Sequence, residues 1–229
     1  MTWLFFDMGS TLIDETDSYK RWFSNAAQLT GGALTADDIE REYCAGMARY
    51  APTISGQLRP YGYTGNSTAD LYPSELDKPY PGAQSVLEQL SKLYKLGIIA
   101  NQVPGAKDRL THYGLWSYFT IVLASAEVGI SKPDPRIFTL ALRQANCSPE
   151  QAVMIGDRPD NDIYPAKKLG MRTIRIKQGL AAYQEPRTKE YEADVSVESL
   201  EEVARVVMSC RLARKVHHDA AIPHTPWAD

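Results

Sequence analysis

The run Trp3-Leu4-Phe5-Phe6 leads straight into Asp7 and then into the small, hydroxyl-bearing sequence Met8-Gly9-Ser10-Thr11-Leu12. No other feature constrains the fold as much. A short apolar run of this kind reads as a buried strand, and Asp7 stands where that strand ends. The arrangement returns far downstream as Val153-Met154-Ile155-Gly156-Asp157. Ligands of open α/β sheets bind beyond the carboxyl ends of the strands. Two strand-end carboxylates on one sheet can share a divalent cation.

The rest of the chain supplies the sheet. From Pro81 onward, helical and strand patterns alternate. Val86, Leu87, Leu90, Leu93 and Tyr94 mark one helix face, and Leu96 to Ala100 a strand. Lys107 to Tyr113 reads as a short helix and Thr120 to Ala124 as a strand. Asp134-Pro135 caps and opens a helix through Ala145. Ser148-Pro149-Glu150-Gln151 is a capping-box sequence opening a short turn before the strand from Ala152 to Ile155. Asn161 to Leu169 reads as a helix, residues 173–176 and 193–195 as strands, and Ser199 to Met208 as a helix. This βαβα order predicts an α/β fold, a doubly wound and mostly parallel Rossmann-like sheet.

Residues 14–80 interrupt that order. Ser18 to Leu29 has helical spacing that ends at Gly31-Gly32, and Thr35 to Asp38 caps a second helix carrying Ile39, Tyr43 and Met47 on one face. From Ala51 to Pro81 the chain is rich in Pro, Gly, Ser and Tyr, and short helices and loops are expected. The expected organisation is a core of residues 1–13 and 81–209, a helical cap of 14–80, and a mobile tail of 210–229.

Charge excludes some partners. Lys plus Arg number 25 against 28 Asp plus Glu, a net charge of −3. That balance gives no general attraction to nucleic acid or to anionic membranes. No apolar run is long enough for a bilayer, and a strand at the N-terminus leaves no room for a signal peptide. Cys44, Cys147 and Cys210 have no metal-ligand spacing and read as reduced thiols of a cytoplasmic protein. Three of the four histidines lie beyond residue 216, so a histidine-based metal site or triad is hard to build. Oligomeric state leaves no signature in the sequence.

Four segments at strand ends carry the chemistry: Asp7 to Thr11, Ala100-Asn101, Lys132-Pro133-Asp134-Pro135, and Gly156-Asp157 through Asp162. In this order and together, they resemble the haloacid-dehalogenase-like (HAD) hydrolase superfamily, in the branch with a helical cap after the first strand. The resemblance runs to about Met208. It implies that Asp7 is a nucleophile that attacks phosphorus and becomes an aspartyl phosphate. Lys132 would offset the repulsion between carboxylate and phosphate. Mg²⁺ would be held by the Asp7 carboxylate, the Gly9 backbone carbonyl and Asp157. Asn161 and Asp162 would fix the metal's waters and Lys132. Ser10, Asn101 and Gln102 are the polar groups placed to bind the phosphoryl oxygens. The substrate would be a small phosphorylated metabolite.

Two positions depart from the family pattern. Most phosphatases of the superfamily have a second Asp two residues after the nucleophile, as general acid and base, and here that position is Gly9. The second motif usually ends in Ser or Thr, and here it is Ala100. General acid–base assistance is worth about 10²–10⁴-fold, and Glu15 or another cap residue would have to move in to replace it. The two departures keep two other readings open: a weakened phosphate-ligand or partner-binding protein, and a haloacid dehalogenase. Dehalogenases do not need the metal carboxylate, so Asp157 favours phosphoryl chemistry.

Plainer roles compete at other positions. Arg158 reads as a surface residue rather than a substrate contact, and Thr11 as a residue that bonds backbone to hold the turn. Arg21, Arg41, Arg49 and Arg59 could meet an anion, and Tyr50, Tyr61, Tyr63 and Tyr72 could line a pocket. Solvent exposure and cap packing explain them as well.

Overall fold

A computed structural model describes residues 2–50 and 72–216, with side chains to residue 210. Among the described residues, eight strands form two sheets: β1 (Trp3–Phe6), β2 (Ile13–Asp14), β3 (Lys78–Pro79), β4 (Lys95–Ala100), β5 (Phe119–Ala124), β6 (Ala152–Gly156), β7 (Arg172–Ile176) and β8 (Val195–Val197). The larger sheet has the order β5-β4-β1-β6-β7-β8, and all its pairs are parallel. β1 is the switch point. The chain first winds outward to β4 and β5, then returns to the other side of β1 as β6. The doubly wound α/β fold expected from the sequence is therefore present.

The period-two alternation of β1 explains its central place. Leu4 and Phe6 face one layer with Ile98, Val153 and Ile155. That layer is covered by α3 (Ala83–Ser91) and α8 (Leu200–Val216). Trp3 and Phe5 face the other, with Ile99, Leu123 and Met154, covered by α6 (Pro135–Ala145) and α7 (Tyr164–Lys168). Every β1 residue is buried, so this strand reads as continuously apolar. Two short helices complete the core, α4 (Ala106–His112) and α5 (Ser125–Val128).

The insert leaves and returns through the antiparallel pair β2–β3, which the sequence did not announce. Between them lie α1 (Thr16–Gln28) and α2 (Ala36–Ala48). Thr35 and Asp38 form a full capping box at the start of α2. Trp22, Phe23, Ala26 and Ile39 make a separate small core, flanked by Tyr19, Tyr43 and Tyr72. The expected loops at 51–71 lie outside the described residues, as does the tail from residue 217. The last helix runs to Val216, beyond the expected Met208, and Cys210 is buried. The helix expected from Asn161 is instead a π-turn, Pro159–Ile163, followed by the single turn of α7. No helix among the described residues is long and apolar enough to cross a membrane.

One core segment clasps the insert. After β7 the chain forms a 3₁₀ turn, Gly179–Tyr183. Leu180 packs into the small aromatic core of the insert. Gln184 Nε2 donates to Met47 O at 2.9 Å, and Arg187 Nη2 to Arg49 O at 2.8 Å. Both carbonyls lie at the C-terminal end of α2, where intrahelical partners run out, and Met47 O also accepts from the Tyr50 N–H at 2.8 Å. Arg175, 3% exposed, holds the segment from beneath. Its guanidinium donates to Asp157 O, Ala181 O and Gln184 O at 3.2, 2.9 and 2.7 Å. Arg175→Met takes this donor from Asp157 O and Gln184 O, while Ala181 O keeps the Gln184 N–H, at a cost of roughly 2–4 kcal/mol. The expected result is a lower urea midpoint with an unchanged slope.

Candidate active site

β1 and β6 are in register through Phe6↔Ile155, and the Asp7 N–H donates to Ile155 O at 2.8 Å. This pairing sets Asp7 and Asp157 side by side at the carboxyl end of the sheet. Their carboxylates and that of Asp162 offer oxygens within 4.8 Å of one another. Lys132, on the loop before α6, enters between them. Its Nζ donates to Asp7 Oδ1 at 2.7 Å and to Asp162 Oδ1 at 2.6 Å.

The lysine is held from behind. Asn101 Nδ2 donates to Lys132 O at 2.8 Å, and the Lys132 N–H donates to Asn101 Oδ1 at 2.7 Å. Asn101, expected to bind phosphate, therefore spends much of its amide on positioning Lys132. Asp162 is fully buried and accepts at its other oxygen from the Arg158 N–H at 3.0 Å. Gly156 permits this close packing, because any side chain there would collide with the Asp162 carboxyl.

Charge in the cluster is unbalanced. Burial alone would depress the Lys132 ammonium, but Asp162 and Asp7 outweigh it and hold it above the usual lysine value. Burial, with Asp162 and Asp7 adding repulsion, pushes Asp157 far above the usual carboxylate range. Burial and the Asp7 charge also raise Asp162, against the pull of Lys132. Among the described residues, no hydrogen-bond donor reaches the Asp157 carboxylate. Three acids thus face one buried cation, and a hard divalent cation fits this oxygen-rich deficit.

These residues open onto a cavity of about 300 Å³. Asp7, Gly9, Ser10, Asn101, Gln102, Lys132, Asp157 and Asn161 all line it, and Asp162 stands behind Lys132. Glu15, named from the sequence as a residue that could move in for the missing acid, lines the wall from the insert side; the sequence reading missed Tyr19, Tyr43 and Met47 beside it, and Leu180 and Ala181 from the clasp. Helical spacing identified Tyr43 and Met47 as one face, but nothing in the spacing said what that face covers. Ser10 adopts a left-handed conformation (φ 52°), its N–H donates to Ile13 O, and its hydroxyl donates to Glu15 Oε2 at 3.0 Å. Gln102 Oε1 accepts from Arg109 Nη2 at 3.0 Å.

Arg158 lines the cavity too, but its guanidinium grips both oxygens of Asp160 at 3.0 and 2.6 Å. Thr11 departs from expectation: its buried hydroxyl has no hydrogen-bond partner among the described residues. Tyr72 donates to Asp77 Oδ1 at 2.9 Å, and Tyr50 to Glu185 O at 2.9 Å, so neither forms the wall. Arg41 pairs with Asp38 on the surface. Arg59, Tyr61 and Tyr63 lie outside the described residues.

Glu15 stands apart from the other acids. It is the residue before α1 and is half-buried. Burial, then the charges of Asp77 and Asp7, push its carboxyl up to about 8, against hydrogen bonds from Ser10 and Tyr72.

A sheet with a nucleophile-type Asp after its first strand, a lysine between two acids and a helical insert after that strand defines a class of hydrolases. Residues 4–176 match the haloacid dehalogenase-like hydrolase family, and the chain belongs to it. It is 36% identical over 132 residues to the glyceraldehyde 3-phosphate phosphatase of Methanopyrus kandleri, covering 57% of each chain. It is 37% identical over 126 residues to the phosphoserine phosphatase of Thermus thermophilus, covering 54% of this chain and 49% of that one. The chain thus spans about half the length of these curated relatives. A longer match, 30% over 201 residues, joins 77% of it to 81% of the glyceraldehyde 3-phosphate phosphatase of Pyrococcus abyssi. Among solved structures, magnesium-bound YfnB from Bacillus subtilis superposes with a TM-score of 0.69 at 21% identity, over 90% of this chain and 98% of that one. A 2-haloacid dehalogenase from Pseudomonas syringae does so with 0.60 at 23%, over 92% and 99%. The same fold therefore carries both chemistries, and the side chains must decide between them.

Removing Lys132 tests the charge balance. Lys132→Met leaves Asp7 and Asp162 facing each other without a cation, at a cost of about 3–5 kcal/mol. Adding Asp162→Asn to Lys132→Met recovers part of that loss. A double-mutant cycle in urea reads the coupling directly.

Proposed function

We propose that this protein is a Mg²⁺-dependent phosphatase of small phosphorylated metabolites. The observation that carries the reading is the buried set of Asp7, Lys132, Asp157 and Asp162, with three acids, one cation and an open cavity in front of them. Asp7 is the nucleophile: it is the half-buried acid of the set, lies on the cavity wall and has its Oδ1 oriented by Lys132. Attack on phosphorus makes an aspartyl phosphate on Asp7, which water then cleaves. Lys132 offsets the repulsion between this carboxylate and the incoming dianion. Asp162 and Asn101 keep Lys132 in place, one through its ammonium and the other through its backbone.

The Asp7 carboxylate, the Gly9 carbonyl and Asp157 would hold Mg²⁺, with Asn161 beside them. The ion supplies the remaining positive charge for the transferring phosphoryl group. Ser10, Asn101 and Gln102, which line the same cavity as Asp7 and Lys132, would take the phosphoryl oxygens. Tyr19, Tyr43, Met47 and Leu180 shut out water and shape the space for the organic part. The relatives named glyceraldehyde 3-phosphate phosphatase and phosphoserine phosphatase support three-carbon phosphates as the first candidates, in keeping with a cavity of about 300 Å³. Cys44, Cys147 and Cys210 are free thiols.

A panel of glyceraldehyde 3-phosphate, phosphoserine, acetyl phosphate and p-nitrophenyl phosphate tests this reading. Turnover is expected with Mg²⁺, to vanish with EDTA, and to fall at least 10³-fold in Asp7→Asn. Asp157→Asn should raise the Mg²⁺ concentration for half-maximal rate by tenfold or more. Metal-independent release of chloride from 2-chloropropionate would replace this reading with dehalogenation. Binding of phosphate esters without turnover would replace it with a binding role.

A further inference from the structure

Cleavage of an alkyl phosphate leaves an alkoxide, a strong base that departs slowly unless it is handed a proton. Among the described residues that line the cavity, few can hand one over. The amides of Asn101, Gln102 and Asn161 do not exchange protons in this sense. Asp7 is committed to phosphorus, Asp157 to the metal and Lys132 to two acids. Arg158 is locked on Asp160 and stays charged. The hydroxyls of Tyr19 and Tyr43 are bonded to each other at 3.3 Å. The one acid left is Glu15.

Its position is specific. A Cβ built on Gly9 would stand 2.5 and 2.7 Å from the two Glu15 oxygens. The Glu15 carboxyl therefore fills the volume that a side chain at position 9 would occupy, two residues from the nucleophile. Ser10 holds it there through its hydroxyl at 3.0 Å. The linker fixes its backbone: Asp14 pairs with Lys78, and the Tyr19 N–H donates to Glu15 O at 2.9 Å.

We propose that Glu15, projecting into the cavity from the linker between β2 and α1, is the proton donor to the leaving-group oxygen and the proton acceptor for the attacking water. The proposal rests on the phosphatase reading above. In the first step an Asp7 oxygen bonds to phosphorus while the bond from phosphorus to the ester oxygen breaks. The electron pair stays on that oxygen, which takes the Glu15 proton and leaves as the alcohol. In the second step a water oxygen bonds to phosphorus, its proton passes to Glu15, and the Asp7–phosphorus bond breaks. Glu15 and Asp7 are both restored, and the sum is ester plus water to alcohol plus phosphate.

The test compares two leaving groups with wild type, Glu15→Gln, Glu15→Ala, Gly9→Asp and Gly9→Asp/Glu15→Ala. p-Nitrophenolate leaves without a proton, whereas the alkoxide of glycerol 2-phosphate does not. In Glu15→Gln, turnover of glycerol 2-phosphate is expected to fall about 10²–10⁴-fold. With p-nitrophenyl phosphate the same variant should release a burst of one nitrophenolate per enzyme and then stall as the phosphoenzyme. Gly9→Asp alone should be slower than wild type, because its side chain and Glu15 compete for one volume. Gly9→Asp/Glu15→Ala should exceed Glu15→Ala on glycerol 2-phosphate by tenfold or more, which also guards against a Glu15→Gln protein that fails to fold. In the first turnover, a nitrophenolate burst slowed as much as glycerol release, no loss on either substrate, or a double variant no faster than Glu15→Ala would each overturn the proposal. A wild-type protein inert to both esters overturns the phosphatase reading itself, a result distinct from any of these.

Discussion

Everything at the carboxyl end of this sheet depends on one buried ammonium. Lys132 Nζ lies within 2.7 Å of Asp7 and 2.6 Å of Asp162, on side chains that are 13% and 0% exposed. Two acids at such a spacing, with a third within 4.8 Å, repel strongly where water does not screen them. The lysine makes the arrangement tolerable without neutralising it. A net deficit of positive charge remains, directed at the cavity. On the proposed reading, a site built in this way would bind a divalent cation and, with it, a phosphoryl dianion. The same charge imbalance that costs stability would then be the source of affinity for metal and substrate.

The second constraint is the two-strand linker. Both chain crossings between the sheet and the helical insert are tied as β2–β3, and Lys78 bonds Asp17 at 2.8 Å across them. Ser18 and Tyr72 both donate to Asp77, which ties the start of α1 to the returning chain. The clasp after β7 grips the far end of α2 through Gln184 and Arg187. The insert is thus held at its root and at its tip, with Tyr19, Tyr43 and Met47 suspended over Asp7 between them. On the proposed reading, an aromatic wall over a polar floor would exclude water around a bound substrate and so strengthen each charge interaction beneath it.

How much of this was legible in the sequence follows from the range of the interactions involved. β1 and β6 were readable because a strand buried on both faces must be continuously apolar, and each ends in an acid. The parallel order followed from the βαβα alternation. Capping boxes at Thr35 and Ser148 were readable because they are satisfied within four residues. Lys132 and Asp162 could be placed in the site only by resemblance, since nothing local to Lys132-Pro133-Asp134-Pro135 says which acids it will meet. The β2–β3 pair was hidden because its strands are two residues each, too short to show alternation. Leu180 was out of reach for another reason, since it packs against a segment more than 100 residues away. Arg175 joins backbone carbonyls, which carry no side-chain signal in the sequence. Glu15 was named as a residue that could move in for the missing acid, but that it fills the space left at Gly9 has no sequence period.

That missing side chain carries a consequence for how the protein works. A carboxyl at position 9 would belong to the rigid turn after β1 and would be in place whatever the insert did. The carboxyl of Glu15 belongs instead to the residue that opens α1, and it is bonded to Ser10 on one side and drawn toward Tyr72 on the other. Its distance to the nucleophile is therefore set by the linker that carries the cap. With Glu15 as the proton carrier, the linker that seats the insert over the site also places the proton. Release of an alkyl leaving group then depends on that linker, whereas release of an acyl or aryl phosphate's leaving group, which needs no proton, does not. Gly9 reads in this light as a requirement of the arrangement rather than a loss, because only a residue without a side chain leaves the turn open to a carboxyl from elsewhere.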